Sequence, residues 1–217
     1  MTEPGSSVGA YLVVRHGETE WSSSGRHTGR TDLELTEAGQ VEAMSAGALL
    51  ATELGFDEPV AVFTSPLLRA RETARLALRS VTLGAPDPVV TPFLAEVDYG
   101  KFEGLTSAEI ALQSPTWDLW RDGSPGGEAP ANVAGRVESF VALAGDAASE
   151  RAGGTVVAFT HGHFSRALVS LLLGLPLDAA GVLINDTASL AVVRRRRGQL
   201  TLAGWNLRPQ AAAPRPH

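Results

Sequence analysis

Short apolar runs of strand length alternate along the chain with segments of helical period, an order that packs as a mostly parallel sheet covered by helices. Tyr11-Leu12-Val13-Val14 is the first run, Val60-Ala61-Val62-Phe63 the second, and Thr155-Val156-Val157-Ala158-Phe159 the most continuously apolar. Between them Thr36 reads as the N-cap of a helix reaching about Leu54, and Ser65 as a cap with Pro66 in the first turn of a helix over Leu67 to Leu78. Further helices are expected from Thr106, over Ala131 to Ala148, and over Arg166 to Leu173, with Val89-Val90 a short strand. Ser189 to Val193 and Leu200 to Ala203 read as a closing hairpin, with Arg194-Arg195-Arg196-Arg197 at its solvated tip. With no internal repeat and no mark of a second domain, residues 1–217 read as one domain. Its ordered core is expected over 8–206 and a disordered tail, rich in Ala and Pro, over 207–217.

The chain of 217 residues carries 24 acids against 18 bases, a formal charge of −6. That balance repels polyanions, so nucleic acid and anionic membranes are not expected partners, and an anionic substrate needs a local cluster of positive charge. No apolar stretch approaches the roughly 18 residues of a membrane span. The absence of cysteine excludes disulfides and thiolate zinc sites. The opening Met1-Thr2-Glu3-Pro4-Gly5-Ser6-Ser7 lacks the order of a signal peptide, so the cytoplasm is the expected compartment. A homo-oligomer is left open.

Four of the five histidines fall in two loop regions, His16 and His27 after the first strand, His161 and His163 after the buried one. In an open parallel sheet, ligands sit beyond the carboxyl ends of the strands, where Arg15-His16-Gly17-Glu18 and His161-Gly162-His163 both lie. Arg15, and Arg69 at the start of a helix that follows another strand end, supply guanidinium groups, which pair with phosphate oxygens in a fixed geometry. Gly17 and Gly162 would let the main chain approach a ligand. The same His pair could begin a metal site, but no third ligand is evident in the sequence.

Four segments, in order, carry a resemblance: Arg15-His16-Gly17-Glu18-Thr19, Thr64-Ser65-Pro66-Leu67-Leu68-Arg69-Ala70-Arg71-Glu72-Thr73-Ala74, Glu96-Val97-Asp98-Tyr99-Gly100-Lys101-Phe102-Glu103-Gly104, and Thr160-His161-Gly162-His163. Over about residues 11–206 the chain resembles the histidine phosphatase superfamily, the phosphoglycerate-mutase-like proteins. The resemblance implies a three-layer α/β/α sandwich with a mostly parallel central sheet and no metal or other cofactor. It implies that His16 is the nucleophile that becomes phosphorylated, that Arg15, Arg69 and His161 hold the phosphoryl oxygens, and that Glu96 is the general acid and then the base. A protonated Glu96 requires desolvation or a neighbouring charge, for which Asp98 is close in sequence. Thr28, Gly29 and Ser65 are implied as auxiliary contacts to phosphate or substrate; Ser22 is a further candidate substrate contact, as is His163, which stands where the family often has Gly and could instead cap a helix.

Departures from the mutases favour hydrolysis of a small phosphorylated metabolite: Arg30 and Ser22 stand where the mutases resembled carry Trp and Asn, and only Trp117 to Gly126 separates a short helix from Gly127-Glu128, leaving a short cover that admits water. A mutase-type phosphoryl transferase and a non-catalytic phosphate-binding module are the alternatives. Resemblance to sugar bisphosphatases, and to acid phosphatases of broader range, makes Arg166 or Arg121 a candidate for a distal phosphate. A Glu96 that starts protonated predicts activity favouring mildly acidic pH.

Overall fold

The computed structural model describes residues 7–55, 57–81 and 84–208. Six strands form one sheet: β1 (Val8–Arg15), β2 (Ala61–Thr64), β3 (Val89–Val90), β4 (Gly154–Thr160), β5 (Leu190–Arg196) and β6 (Gln199–Leu207), in the order β3-β2-β4-β1-β5-β6. The four strands from β3 to β1 are parallel, and β5 and β6 continue the sheet antiparallel at one edge. Strand alternation sorts the core into two layers. Tyr11, Val13, Phe63, Val156 and Ala158 pack with Phe140 and Phe164, from helices α6 (Pro130–Ala147) and α7 (Gly162–Leu172). Leu12, Val14, Val62, Val157 and Phe159 pack on the other face with Ala46 and Leu50 of α2 (Glu37–Leu54) and Ala74 of α3 (Leu68–Ala77). The expected mixed α/β fold with its mostly parallel sheet is therefore present. Among the described residues there are also three short α-helices, α1 (Glu20–Ser23), α4 (Ser107–Gln113) and α5 (Leu119–Asp122), and four 3-10 turns.

Several local expectations hold. Thr36 caps α2 by accepting from Gly39 N at 3.0 Å, and Thr106 starts α4 with a reciprocal bond to Glu109. Others are corrected. Leu67, not Ser65, is the N-cap position of α3, although the Ser65 hydroxyl accepts from the Leu67 N–H at 3.3 Å just ahead of it as well as from His161. Helix α7 begins at Gly162, four residues before the expected start. The arginine run is mostly strand rather than tip: Arg194 binds Glu53 at 3.1 Å and Arg195 donates to the Val8 carbonyl, which leaves Arg197 and Gly198 to make the turn. Leu207, expected in the tail, ends β6 opposite Leu190, and Arg208 pairs with Asp186 at 3.0 Å. The remainder of the expected tail, 209–217, lies outside the described residues.

Candidate active site

In the parallel register of β1 and β4, Arg15 stands beside Thr160. The next residues, His16 and His161, therefore leave the sheet side by side, with ring centroids 5.2 Å apart. His16 Nδ1 lies 2.7 Å from the Gly17 carbonyl. A carbonyl can only accept, so Nδ1 carries the hydrogen and the Nε2 lone pair is free. Burial, then the charges of Arg69 and Arg15, hold His16 well below the usual histidine range despite the Gly17 bond. A neutral imidazole with an unprotonated Nε2 is the form that attacks.

His161 is fully buried and its tautomer is fixed in the opposite sense. Arg69 Nε donates to Nδ1 at 3.2 Å, so Nε2–H donates to Ser65 Oγ at 2.7 Å. Burial, then Arg69, His16, Arg15 and Arg136, keep it neutral as well. Arg69 is also fully buried, and three more of its five N–H groups go to the carbonyls of Thr31, Thr28 and Gly29 at 2.8 to 3.0 Å. Arg69 thereby ties the 28–31 loop to His161 and places its charge beside His16. Ser65, through His161, belongs to the same support.

A cavity of about 190 Å³ opens over His16 and is lined by Arg15, Glu96, His163 and Arg166, with Ser22, Thr28, His27, Tyr99, Ser107 and Asn185 at its walls. Arg15 donates to the Asn185 carbonyl through Nη1, while its buried Nε has no partner. Gly162 lies against this guanidinium: a Cβ there would stand 3.3 Å from Arg15 Cζ. Gly17 is likewise explained by protein rather than ligand, since a Cβ would come within 2.3 Å of the Gly39 carbonyl. Arg69, His161, Ser65 and Gly29 do not line this cavity, although Gly29 N donates to Glu103 on the loop that Arg69 holds. Ser22 lines it, but its hydroxyl is engaged with Thr19 in the cap of α1. Arg121 is outside, paired with Asp122 at 2.6 Å.

Glu96 is nine-tenths buried and accepts three main-chain N–H groups: Oε1 from Val97 and Phe164, Oε2 from His163 at 3.1 Å. It thus caps the first turn of α7 from a remote segment, the role sequence had offered to His163. Oε2 takes one of these bonds and retains lone-pair capacity for a proton. Asp98 turns instead to Arg30 at 2.7 Å. The segment bearing Glu96 is gripped by Arg136, which donates to the carbonyls of Phe93 and Ala95 and holds Glu128 through two bonds of 2.7 Å. Tyr99, His27, Asn185, Ser107, Arg136 and Glu128 were not singled out as site residues from sequence. His27 gave a signal through the clustering of histidines, and Tyr99 and Glu128 through their places in the 96–104 segment and in Gly127-Glu128. Among the described residues, no group of three or more His, Cys, Asp or Glu is arranged to hold a metal ion.

The model of the histidine phosphatase superfamily (branch 1) matches residues 11–208. An acid phosphatase of Mycobacterium tuberculosis is 43% identical over 93% of this chain and 95% of its own length. A sedoheptulose 1,7-bisphosphatase of Saccharomyces cerevisiae is 34% identical over 76% and 67%, and relatives named 2,3-bisphosphoglycerate-dependent phosphoglycerate mutase are matched as well. A solved structure of a Mycobacterium tuberculosis open reading frame superposes with a TM-score of 0.82 at 41% identity, covering 93% of this chain and 99% of the other. With nearly its whole described length matched, the chain belongs to the histidine phosphatase superfamily, branch 1.

Proposed function

We propose that the protein is a phosphatase that hydrolyses small phosphomonoesters through a phosphohistidine on His16. The observation that carries this reading is the His16 tautomer, with Nδ1–H held by the Gly17 carbonyl and Nε2 unpaired at the floor of the cavity. Nε2 attacks phosphorus in line as the P–O ester bond breaks, and Glu96 gives its proton to the departing alkoxide. Water then attacks the phosphohistidine, Glu96 takes the water proton, and inorganic phosphate leaves with His16 restored. The Arg15 guanidinium, with a donor left unpaired in the protein, faces the charge spread over the phosphoryl oxygens. The phosphatase names of the similar proteins support hydrolysis as the outcome.

His16→Ala is expected to abolish p-nitrophenyl phosphate hydrolysis, and chelator to leave the wild-type rate unchanged. A slow Glu96→Ala variant quenched in alkali should carry label on His16, and an unlabelled His16 in that trap would falsify the mechanism. Arg166, which lines the cavity, supports a narrower reading for sugar bisphosphates. Two of its donors are spent on the Ala180 and Gly181 carbonyls, which leaves Nη1 for a distal phosphate. The check is the bisphosphate-to-monophosphate ratio of kcat/KM, which should fall in Arg166→Ala and, if unmoved, removes Arg166 from that role.

A further inference from the structure

We propose that Tyr99 and His163 form a leaving-group device, in which Tyr99 fixes the tautomer of His163 so that its Nε2–H donates to the ester oxygen of the substrate beside Glu96. This rests on the phosphatase reading of the same cavity. The Tyr99 hydroxyl is buried and lies 2.6 Å from His163 Nδ1, its only hydrogen bond among the described residues. Were Nδ1–H the donor, the phenolic hydrogen would be left buried with no acceptor, a state that costs the full desolvation of the group. The Tyr99 hydroxyl therefore donates to Nδ1, and the single N–H hydrogen of the neutral ring is on Nε2.

His163 Nε2 has no hydrogen-bond partner among the described residues, and the residue lines the cavity with His16 and Glu96. Its ring is held by neighbours: His27 at 5.6 Å and only 21° from parallel, and Trp120 at 5.6 Å, itself covered by the Arg166 guanidinium at 5.3 Å. Its main-chain N–H is the one that reaches Glu96 Oε2, so imidazole and carboxyl share a single anchor. Burial, then Arg166, His27 and Arg15, keep the ring neutral, so Nε2–H donates a hydrogen bond and surrenders no proton. The proton of the departing alcohol comes from Glu96 alone. A donor at the ester oxygen stabilises charge that grows as the P–O bond lengthens, and matters most when the leaving alkoxide is strongly basic.

The test is the ratio of kcat/KM for glycerol phosphate to that for p-nitrophenyl phosphate, whose leaving group needs little help. His163→Phe should lower this ratio about tenfold, the worth of one hydrogen bond to a charged oxygen. His163→Gln, which restores an N–H near the same place, should recover part of it, and Tyr99→Phe should lower it by about two- to threefold as the ring divides between tautomers. Long-range proton–nitrogen NMR on the imidazoles, with thermal melts to verify folding, should show His163 as the Nε2–H form in the wild type and a mixture in Tyr99→Phe. Equal losses on both esters in His163→Phe, or an Nδ1–H form in the wild type, overturn the proposal. A wild-type enzyme inactive on both esters instead overturns the phosphatase reading on which it stands, so the two failures are told apart.

Discussion

At the nucleophile, neutrality comes from burial and two guanidinium groups, with no carboxylate paired to the ring. A cation beside an imidazole penalises its protonated form, so His16 should titrate below 6.5 and stay nucleophilic through mildly acidic pH. The acid limb of kcat/KM should accordingly fall below pH 6.5, and an NMR titration of His16 should move up towards 6.5 in Arg15→Gln. A His16 midpoint at or above 6.5 in the wild type contradicts this account. Ser65→Ala leaves the His161 Nε2–H without its acceptor in a fully buried setting and should cut kcat about tenfold. Restoration by Thr would tie the loss to the hydroxyl. His16 and Arg15 were legible in sequence because each stands next to its own strand end. The engagement of Arg69 with the 28–31 carbonyls was not, because those acceptors lie 38 to 41 residues away in the chain and are main-chain atoms with no residue signature.

Elements show the same division between local and remote causes. The cap of α2 follows from Thr36 and was readable; the start of α7 was not, because His161-Gly162-His163 has no capping side chain of its own and the cap arrives from Glu96. Likewise the arginine run looked like a solvated turn until Glu53 and the Val8 carbonyl were brought to it by the fold. Arg136 and Glu128 hold the Glu96 segment at both sides, since the Asp98 N–H also reaches Glu128 at 3.4 Å. Arg136→Ala would leave the largely buried Glu128 carboxylate unpaired. It should cost about 3 kcal/mol in urea melts and lower turnover by displacing Glu96. If stability falls while kcat holds, the clamp serves the fold alone. Where β1 meets α2, Gly17→Ala forces a methyl to within 2.3 Å of a carbonyl and should destabilise by about 1–3 kcal/mol, because backbone must shift.

Among the described residues, three histidines, 16, 161 and 163, are held well below their ordinary range, and burial lowers His27 as well. The unfolded chain binds protons on them first, so stability is full above about 6.5 and is lost as pH falls from there towards the depressed native values. Each group contributes a slope of about 1.4 kcal/mol per pH unit, so the three together reach about 4. Urea midpoints should drop steeply between pH 6.5 and about 5, and a flat profile would refute the buried-neutral assignment. Chemistry that tolerates acid thus sits in a fold that weakens in it. The net charge of −6 coexists with a local cluster of positive charge, because Arg15 and Arg166 line one cavity and Arg69 is buried behind it against His161. The 5.2 Å between the His16 and His161 rings is close to the spacing of neighbouring strands, about 4.8 Å. The sheet therefore acts as a ruler for the reaction centre. A residue inserted into β4 would shift His161 by a full rung and turn it to the opposite face, whereas an insertion at Gly198, in the far hairpin, changes no spacing that the chemistry reads.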